Sequence, residues 1–365
     1  MNNFSQYWFV FLVFFLSISI LFSIVINWLF LRLSINLGSR NSNKDQIRWA
    51  ASVKPSLGGF SFFIVFLISI SFIGALPREN ELFIDKGLLG LTAASTLGFL
   101  IGLADDAYNT NPLVKFIGQL TCSFILIVSD VYIHFTEVPA LDFALTTFWV
   151  IGMMNSINML DNMDAITSSI SSVIIIGIVS LILLNGTYYG NFYLVMLFGV
   201  LGSLIGFLYF NWSPARIYMG DSGSQFLGVF LAGIGIMYCW RFKASTVEFF
   251  QIKLFIIPVY FFAIPILDTA TVTIRRLMRK LSPFVGGKDH ITHHLVYLGL
   301  SEKQTAVSLI SLSGLCIAAT YPLILGYIEW DYIVTFGYIF AFVILFVFIQ
   351  LLYNKGAEKN KHKKS

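Results

Sequence analysis

Unbroken apolar runs of about twenty residues recur along this chain of 365 residues, and no other feature constrains the fold as strongly. A helix needs about 20 apolar residues to cross a bilayer, whereas a transmembrane barrel would show alternating strands of about ten. Hydrophobic residues make up 57% of the chain and charged residues only 12%, against about 25% charged in soluble domains. The sequence therefore predicts an all-α, polytopic integral membrane protein and excludes a water-soluble domain.

Charged or Gly-, Pro- and Asn-rich breaks divide the apolar sequence into about eleven candidate transmembrane helices. The first run lacks the basic start and the cleavage site of a signal peptide, so we expect a retained helix. Residues 1–354 are predicted to form one transmembrane domain, followed by a basic cytoplasmic tail over 355–365. The predicted spans are 7–31, 58–76, 87–104, 113–133, 143–160, 166–184, 192–210, 224–240, 254–274, 306–326 and 332–353.

Lys and Arg are unevenly distributed over the connections between these spans. Of the 23 in the chain, 18 fall on odd-numbered connections or on the tail. The positive-inside rule then places the amino terminus outside and the carboxyl terminus in the cytoplasm. The eighth connection is basic although it should lie outside, since it carries Arg241, Lys243 and Lys253. The net charge of +4 thus reports orientation rather than nucleic-acid binding, and the three scattered cysteines form neither a disulfide framework nor a metal motif.

Polar residues that burial in lipid does not explain form five clusters, and all five lie on odd-numbered connections. The even-numbered connections carry no comparable grouping. We therefore predict a single composite site at the cytoplasmic surface. The five clusters are Lys54–Gly59, Asp105–Asp106, Asn155–Asp164, Arg216–Ser224 and Arg275–His294.

The first two acidic groups each admit a structural and a functional interpretation. Asp105 and Asp106 stand where a helix leaves hydrocarbon, and adjacent carboxylates repel each other at a helix end that already disfavours negative charge. A divalent metal or a proton-accepting role would account for them, and a solvated helix end is the alternative. Between Asn155 and Asp164 a polar residue recurs at every third position, which predicts a helix end that opens toward a pocket or an interfacial cap.

The last two clusters combine features of phosphate sites. Within the fourth cluster, Met219–Ser224 leads into the eighth span. Its glycines let the backbone approach a ligand, and the helix N-terminus attracts phosphate. Its aspartate would bind Mg²⁺ beside that phosphate, and an ordinary helix cap is the alternative. Three of the five histidines lie from His290 to His294. Anion binding, a solvated loop and a zinc site remain open for them. Asp268, an intramembrane carboxylate, is a further functional candidate.

In this order, the five clusters resemble those of the polyprenyl-phosphate N-acetylhexosamine-1-phosphate transferases. This family includes the bacterial enzymes that start O-antigen, teichoic-acid and peptidoglycan lipid carriers. The resemblance implies transfer of a sugar 1-phosphate, GlcNAc-1-phosphate in the first instance, from a UDP-N-acetylhexosamine to a polyprenyl (undecaprenyl) phosphate, with release of UMP. It also implies Mg²⁺ as the cofactor, with Mn²⁺ as the alternative ion, and a location in the inner (plasma) membrane in contact with its lipids. A homodimer is possible under the same resemblance.

The resemblance assigns roles residue by residue. Asp221 matches the family's Mg²⁺ ligand, while Asp105 and Asp106 match its aspartate pair, usually assigned to activating the lipid phosphate. His290 and His293 match the outer members of its His-x-His-His pattern. Direct attack by the lipid phosphate is preferred, and a covalent aspartyl-phosphate is the alternative. The predicted substrate-binding residues are Ser56, Lys115, Asn158, Asp161, Asp164, Arg216 and Tyr218, the last in place of an aromatic residue that stacks on uracil.

Three positions depart from the family pattern, and two rival functions remain. Thr292 stands where many relatives have the middle histidine, and Asn162 and Ala165 replace glycines that usually follow the two aspartates. A phospho-N-acetylmuramoyl-pentapeptide transferase is the nearer rival, but Leu295–Val296 lacks the acidic residue of that branch. An ion-coupled secondary transporter is the rival from another class, and it would place polar groups near mid-membrane on paired repeats.

Overall fold

The computed structural model describes residues 2–36, 54–75, 85–136, 138–186, 191–242, 252–282 and 287–362. Over these residues the chain is helical and contains no strand, which confirms the predicted all-α class. A π-helical turn, Ile236–Trp240, extends α8, and a 3₁₀ turn, Ile252–Phe255, precedes α9. The helices are α1 (Asn2–Asn36), α2 (Gly58–Ala75), α3 (Lys86–Tyr108), α4 (Pro112–Val128), α5 (Pro139–Leu160), α6 (Ile166–Leu184), α7 (Phe192–Asn211), α8 (Gly220–Gly235), α9 (Ile256–Phe261), α10 (Ala263–Met278), α11 (Ile291–Leu298), α12 (Glu302–Ala319), α13 (Tyr321–Ile324) and α14 (Tyr332–His362).

Each predicted membrane span lies on one or two helices, although the fourth extends past the end of α4 at Val128. Within the described ranges, eight helices are long and apolar enough to cross a membrane, and a bent pair would make a ninth. Two further helices, Gly58–Gly74 and Pro112–Val128, are apolar but shorter. The protein is therefore a polytopic membrane protein, as predicted, while the count of eleven crossings stays a prediction.

The ninth predicted span is broken rather than continuous. α9 and α10 meet at Phe262 and are bent by 92° relative to each other. Pro265 accounts for the break, because it has no N–H to donate to the carbonyl of Phe261 and its ring displaces that carbonyl. The bend leaves Asp268 on α10, buried to 1% exposure, on the segment that leads to the histidines.

α8 is the central helix of the bundle. Every residue of α8 except Asp221 is buried, because α2, α3 and α5 pack around it. Glycines on its neighbours permit this approach: a Cβ at Gly102 of α3 would lie 2.1 Å from the Asp221 carbonyl oxygen, and one at Gly59 of α2 would lie 2.3 Å from the nitrogen of Gly223. Small residues at close helix contacts are typical of membrane bundles.

The basic eighth connection has a structural explanation at its first residue. α4 ends at Val128 rather than near 133, so residues 129–136 are not helical and their carbonyl oxygens need donors. Arg241 donates from Nη2 to the carbonyl oxygens of Asp130 and Tyr132, at 2.5 and 3.3 Å. Arg241 thus has a structural role in holding residues 129–136, which does not depend on the side of the membrane. Lys243 lies outside the described residues.

The last membrane helix continues into the predicted basic tail. α14 reaches His362 and is about 46 Å long, well beyond the hydrocarbon core of about 30 Å. Its final turns pack on α11: a Cβ at Gly356 would lie 2.7 Å from the carbonyl oxygen of His294, and Lys359 Nζ donates to the carbonyl of Leu298 at 2.8 Å. Residues 355–362 therefore continue α14 and contact the histidine helix.

Candidate active site

All five polar clusters meet at one end of the bundle. The amide of Gly58 donates to the carbonyl of Tyr218 at 3.0 Å, which joins the first cluster to the fourth. Asn158 at the end of α5 donates to Asp221 at 2.8 Å. Thr292 on α11 donates to Asn162 at 2.6 Å. The clusters thus form one composite site, although residues 283–286 of the fifth lie outside the described residues.

Asp106 caps the central helix from a neighbouring one. Its carboxylate accepts from the amides of Asp221 and Ser222, both at 2.9 Å, in the first turn of α8. α8 accordingly begins at Gly220, four residues before the predicted 224, because the cap comes from α3 rather than from the local Asp or Ser. Asp106 therefore fixes where the backbone of Asp221 lies, in addition to any role toward substrate.

Lys115 joins two carboxylates at the centre of the site. Its Nζ lies 2.8 Å from Asp105 Oδ2 and 3.4 Å from Asp221 Oδ2. Asn158 donates to the other oxygen of Asp221, and Thr110 donates to Asp105 from both its hydroxyl and its amide, at 2.7 and 2.9 Å. Side-chain exposures of 17% for Lys115, 12% for Asp105 and 33% for Asp221 make Asp221 the most accessible of the three.

The donor set of this cluster suits a metal shared with substrate. Among the described residues, no three His, Cys, Asp or Glu side chains surround a common point as a protein-only metal site would require. Mg²⁺, however, usually takes one or two protein carboxylates and completes its shell with water and substrate phosphate. Asp221 and Asp105 offer two carboxylates side by side, and with Asp106 they formally outnumber the one ammonium of Lys115. The residues therefore fit a Mg²⁺ ion on Asp221, with Asp105 beside it.

The turn between α5 and α6 carries Asp161 and Asp164. α5 ends at Leu160, so these residues do not continue the polar stripe on a helix. Asp164 accepts from the amide of Ala215 at 2.7 Å, and burial raises the pKa of Asp164 against that hydrogen bond. Ala165 has a left-handed φ of 65°, and its amide donates to Asn211 at 3.0 Å. The turn is thus tied to the connection before α8.

α11 presents the histidines, and a buried carboxylate fixes its first turn. His290 is the N-cap residue, and its Nδ1 lies 2.8 Å from Asp268 Oδ2. The other oxygen of Asp268 accepts from the amide of Ile291 at 2.8 Å. Because Asp268 occupies Nδ1, Nε2 is the ring nitrogen of His290 that remains for a substrate. One carboxylate therefore caps α11 and orients its first histidine.

The charges around α11 are set by burial and by one arginine. Burial, and then the nearby His290, lower the pKa of His293 to about 3, and burial lowers that of His294 to about 4. Both rings are neutral at pH 7, so neither supplies positive charge for anion binding. Burial opposes ionisation of Asp289, but the two hydrogen bonds of Arg276, at 2.7 and 2.6 Å, outweigh it and hold the pKa of Asp289 below its usual value.

The remaining predicted binding residues lie on the first and fourth clusters. Tyr218 is half-buried, its amide donates to the carbonyl of Pro55 beside Ser56, and Lys54 Nζ lies 5.2 Å from the centre of its ring. Lys54 therefore lies beside the ring on which the resemblance expects uracil to stack. Arg216 is exposed, packs on Tyr209 and donates to the Tyr209 carbonyl at 3.0 Å. Its guanidinium is thus directed at α7.

The sequence interpretation missed two buried glutamines beneath the site. Gln119 lies in the predicted fourth span and Gln225 in the eighth. Both form a hydrogen-bonded network with the half-buried Asn155, which belongs to the third predicted cluster. The rule that polar residues inside a membrane span are functional candidates would have selected both glutamines. Asn211, which holds the α5–α6 turn, gave the same weak signal as the last residue of an apolar helix.

Comparison with known proteins gives consistent matches. The family model described as Glycosyl transferase family 4 matches residues 88–239. The chain is 26% identical over 345 residues to the probable undecaprenyl-phosphate N-acetylglucosaminyl 1-phosphate transferase of Bacillus subtilis (strain 168), across 92% of this chain and 89% of that protein. It is 27% identical over 275 residues to the decaprenyl-phosphate N-acetylglucosaminephosphotransferase of Mycobacterium leprae (strain TN), across 69% of each chain.

A match to the muramoyl-pentapeptide branch covers less of the chain. The phospho-N-acetylmuramoyl-pentapeptide-transferase of Chlamydia trachomatis serovar L2 is 29% identical over 180 residues, which is 48% of this chain and 49% of that protein. The stretch 88–239 runs from α3 to the π-helical turn after α8, and so includes the whole Asp105, Lys115 and Asp221 cluster. These matches confirm the resemblance that the motifs predicted.

Proposed function

We propose that this chain, a family 4 glycosyl transferase by the match of residues 88–239, transfers N-acetylhexosamine 1-phosphate from a UDP-sugar to a polyprenyl phosphate. GlcNAc-1-phosphate is the expected group, since the relatives that span most of the chain carry that activity in their names. The observation that carries the proposal is the contact of Lys115 with both Asp105 and Asp221 beside the N-terminus of α8. That arrangement suits two phosphate groups at a membrane surface.

The site must offset the repulsion between two anions. Donor pyrophosphate and acceptor phosphate are both negatively charged, and their approach concentrates charge on the transferred phosphoryl group. Mg²⁺ on Asp221, with Asp105 adjacent, would supply the Lewis acid that binds phosphate oxygens. Lys115 holds an ammonium within reach of the same place, and Asn158 orients the Asp221 carboxylate. The N-terminus of α8 adds partial positive charge.

We infer a direct displacement. An oxygen of the lipid phosphate attacks the β-phosphorus of the donor, a phosphorus–oxygen bond forms, and the bond from the β-phosphorus to the bridging oxygen breaks. UMP leaves with that oxygen and its electron pair, and the product is a lipid-linked pyrophosphate. The sugar C1–O bond is untouched, so the anomeric configuration is retained. Asp106 is poorly suited to a covalent role, because both of its oxygens already accept from α8 amides.

The orientation proposed for the enzyme follows from charge. The convergence of all five polar clusters at the end where the basic connections lie supports an active site on the cytoplasmic face of the plasma membrane, with the amino terminus outside. A polyprenyl tail dissolves only in the bilayer, so its phosphate can meet a soluble nucleotide sugar only at such a surface. A transporter would require polar groups distributed across the membrane and open to both sides.

The decisive experiment measures the by-product. Purified protein with UDP-N-acetylglucosamine, undecaprenyl phosphate and Mg²⁺ should release UMP, and chelation should stop release until Mg²⁺ or Mn²⁺ is restored. Asp221→Asn should lower turnover by at least roughly a hundredfold at unchanged expression. Release of UDP would instead indicate ordinary glycosyl transfer. Activity confined to the UDP-muramoyl-pentapeptide donor would place the enzyme in that branch.

A further inference from the structure

A second polar layer lies one helical turn below the site, deeper in the membrane. Lys115, Asn158 and Asp221 form the upper layer on α4, α5 and α8. On the same helices the next inward residues on that face are Gln119, Asn155 and Gln225, which are four, three and four positions away, or about 4.5–6 Å along each axis. The two layers therefore contain one polar residue from each of the same three helices.

The lower layer is a hydrogen-bonded amide network. Gln119 Nε2 donates to Asn155 Oδ1 at 3.2 Å and to Gln225 Oε1 at 3.1 Å. Asn155 returns a bond from Nδ2 to Gln119 Oε1 at 2.9 Å. Gln119 and Gln225 are 2% and 0% exposed. Gln119 thus links the helix of Lys115 to the helices of Asn158 and Asp221 at once.

Packing alone does not explain three amides at this depth. Apolar side chains of similar size would fill the space without the cost of removing polar groups from water. The network is also imperfect, since Gln225 Nε2 is buried without a hydrogen-bond partner. Directional bonds specify helix register and rotation, which apolar contacts specify only loosely, and this is the advantage that a buried polar layer offers.

We propose that Gln119, Asn155 and Gln225 are positioning residues for the phosphate site. Their hydrogen bonds set the register of α4, α5 and α8, so that Lys115, Asn158 and Asp221 converge above them. The inference rests on the proposed function only for its activity readout. None of the three amides contacts substrate in this role, so their loss should act through misplacement of the upper layer and should lower kcat by a larger factor than it raises KM for the nucleotide sugar.

The test compares two partly buried hydrogen-bond contacts between α4 and α5. Gln119→Leu removes the layer, whereas Ser123→Ala removes the bond from Ser123 to Thr147, 2.9 Å long and one turn further from the site. Gln119→Leu should lower kcat by roughly tenfold to a hundredfold, and Ser123→Ala by less than about twofold, at comparable melting temperatures. Equal losses for both variants, or wild-type kcat for Gln119→Leu, would overturn the inference.

A second pair of variants guards against a folding defect. Gln225→Met keeps the side-chain length and should reproduce a fall in kcat that is larger than the rise in KM. Combined with Gln119→Leu it should add little, because both substitutions remove the same hydrogen bond and coupled residues are non-additive. Multiplied losses would show independent roles and reject the layer. Failure of the proposed function would appear in the wild type, as no UMP from any donor, and not in these comparisons.

Discussion

The carboxylate cluster and the histidine helix are held in place by different means. Lys115, Asn158 and Asp221 project from α4, α5 and α8. α3 and α5 each pack against both α4 and α8 and so hold these helices together. The histidines lie on α11, a helix of eight residues, and at its N-cap, His290. Isolated helices shorter than about 12–15 residues are marginal in water, so α11 depends on contacts from outside itself.

Those contacts come from three directions. Asp268 of α10 caps the N-terminus of α11, and Thr292 bonds to Asn162 on the α5–α6 turn. On α14, Tyr353 stacks on His294 with ring centres 3.7 Å apart, and Lys359 bonds to the last carbonyl of the helix. The bundle thus positions the proposed phosphate-binding residues directly, whereas individual side chains position the histidines. Substitutions in the two regions should therefore differ in size and in kind.

The largest effect is expected at Lys115. Lys115→Met keeps the aliphatic stem but removes the ammonium between two carboxylates, so turnover should fall by roughly a hundredfold to a thousandfold. UMP release by the purified variant measures this loss. Lys86→Met is the control, because it removes one exposed positive charge from the opposite end of α3. The importance assigned to the cluster would be contradicted if Lys115→Met kept more than about a tenth of wild-type turnover.

Asp268→Asn should have the next largest effect. The amide can still accept from Ile291, but it no longer offers a carboxylate to His290 Nδ1, so the ring loses its fixed orientation and tautomer. We expect roughly a hundredfold fall in kcat. Asp142→Asn is a matched control, since Asp142 is also buried and accepts from the amides of Phe135 and Thr136 at the other end of the bundle. Equal losses in both variants would indicate a general structural effect.

Thr292→Val tests the bond between the two regions. It removes the hydroxyl that bonds to Asn162 and keeps the side-chain shape, so kcat should fall by roughly threefold to tenfold, as expected for one hydrogen bond. Thr121→Val removes a hydroxyl that bonds only within α4, to the carbonyl of Ile117 at 2.9 Å, and should be silent. An unchanged kcat for Thr292→Val would mean that α10 and α14 suffice to place α11.

Lys359→Met tests the contact from the end of α14. The lysine places positive charge at the C-terminus of α11, a contact of about 0.3–1 kcal/mol, so turnover should fall by about twofold to fivefold. Hydrogen exchange of the amides in 291–298 should become faster. Lys355→Met, one turn earlier on the same exposed stretch, should change neither quantity. Faster exchange in both variants would assign the effect to net charge rather than to the contact.

Much of this arrangement could be predicted from sequence, because apolar run length reports membrane helices and charge reports their connections. The convergence of five polar clusters followed from their placement on connections of one parity. Contacts between helices could not be predicted in the same way. The start of α8 at Gly220 depends on a cap from Asp106 to the amide of Asp221, 115 positions away. Pro265 makes a break in the ninth span readable from sequence, but not its angle of 92°.

The departures from the family pattern give the smallest and most specific prediction. Ala165 occupies a left-handed conformation, φ 65°, at a position where glycine is usual in the family it resembles. An alanine there costs about 1–2 kcal/mol in the folded state, part of which glycine gives back through its freer unfolded chain. Ala165→Gly should therefore raise the free energy of unfolding by about 0.5–1 kcal/mol and leave kcat unchanged.

Ala104→Gly, in the interior of α3, is the control, because it should change the free energy of unfolding in the opposite direction. Helical glycine costs about 1 kcal/mol relative to alanine, so this variant should unfold more readily in the same detergent. Chemical or thermal unfolding of both variants tests the pair. If Ala165→Gly were also less stable than the wild type, the idea that Ala165 is strained would be wrong. The α5–α6 turn, with its hydrogen bond from the Ala165 amide to Asn211, would then tolerate alanine at no cost.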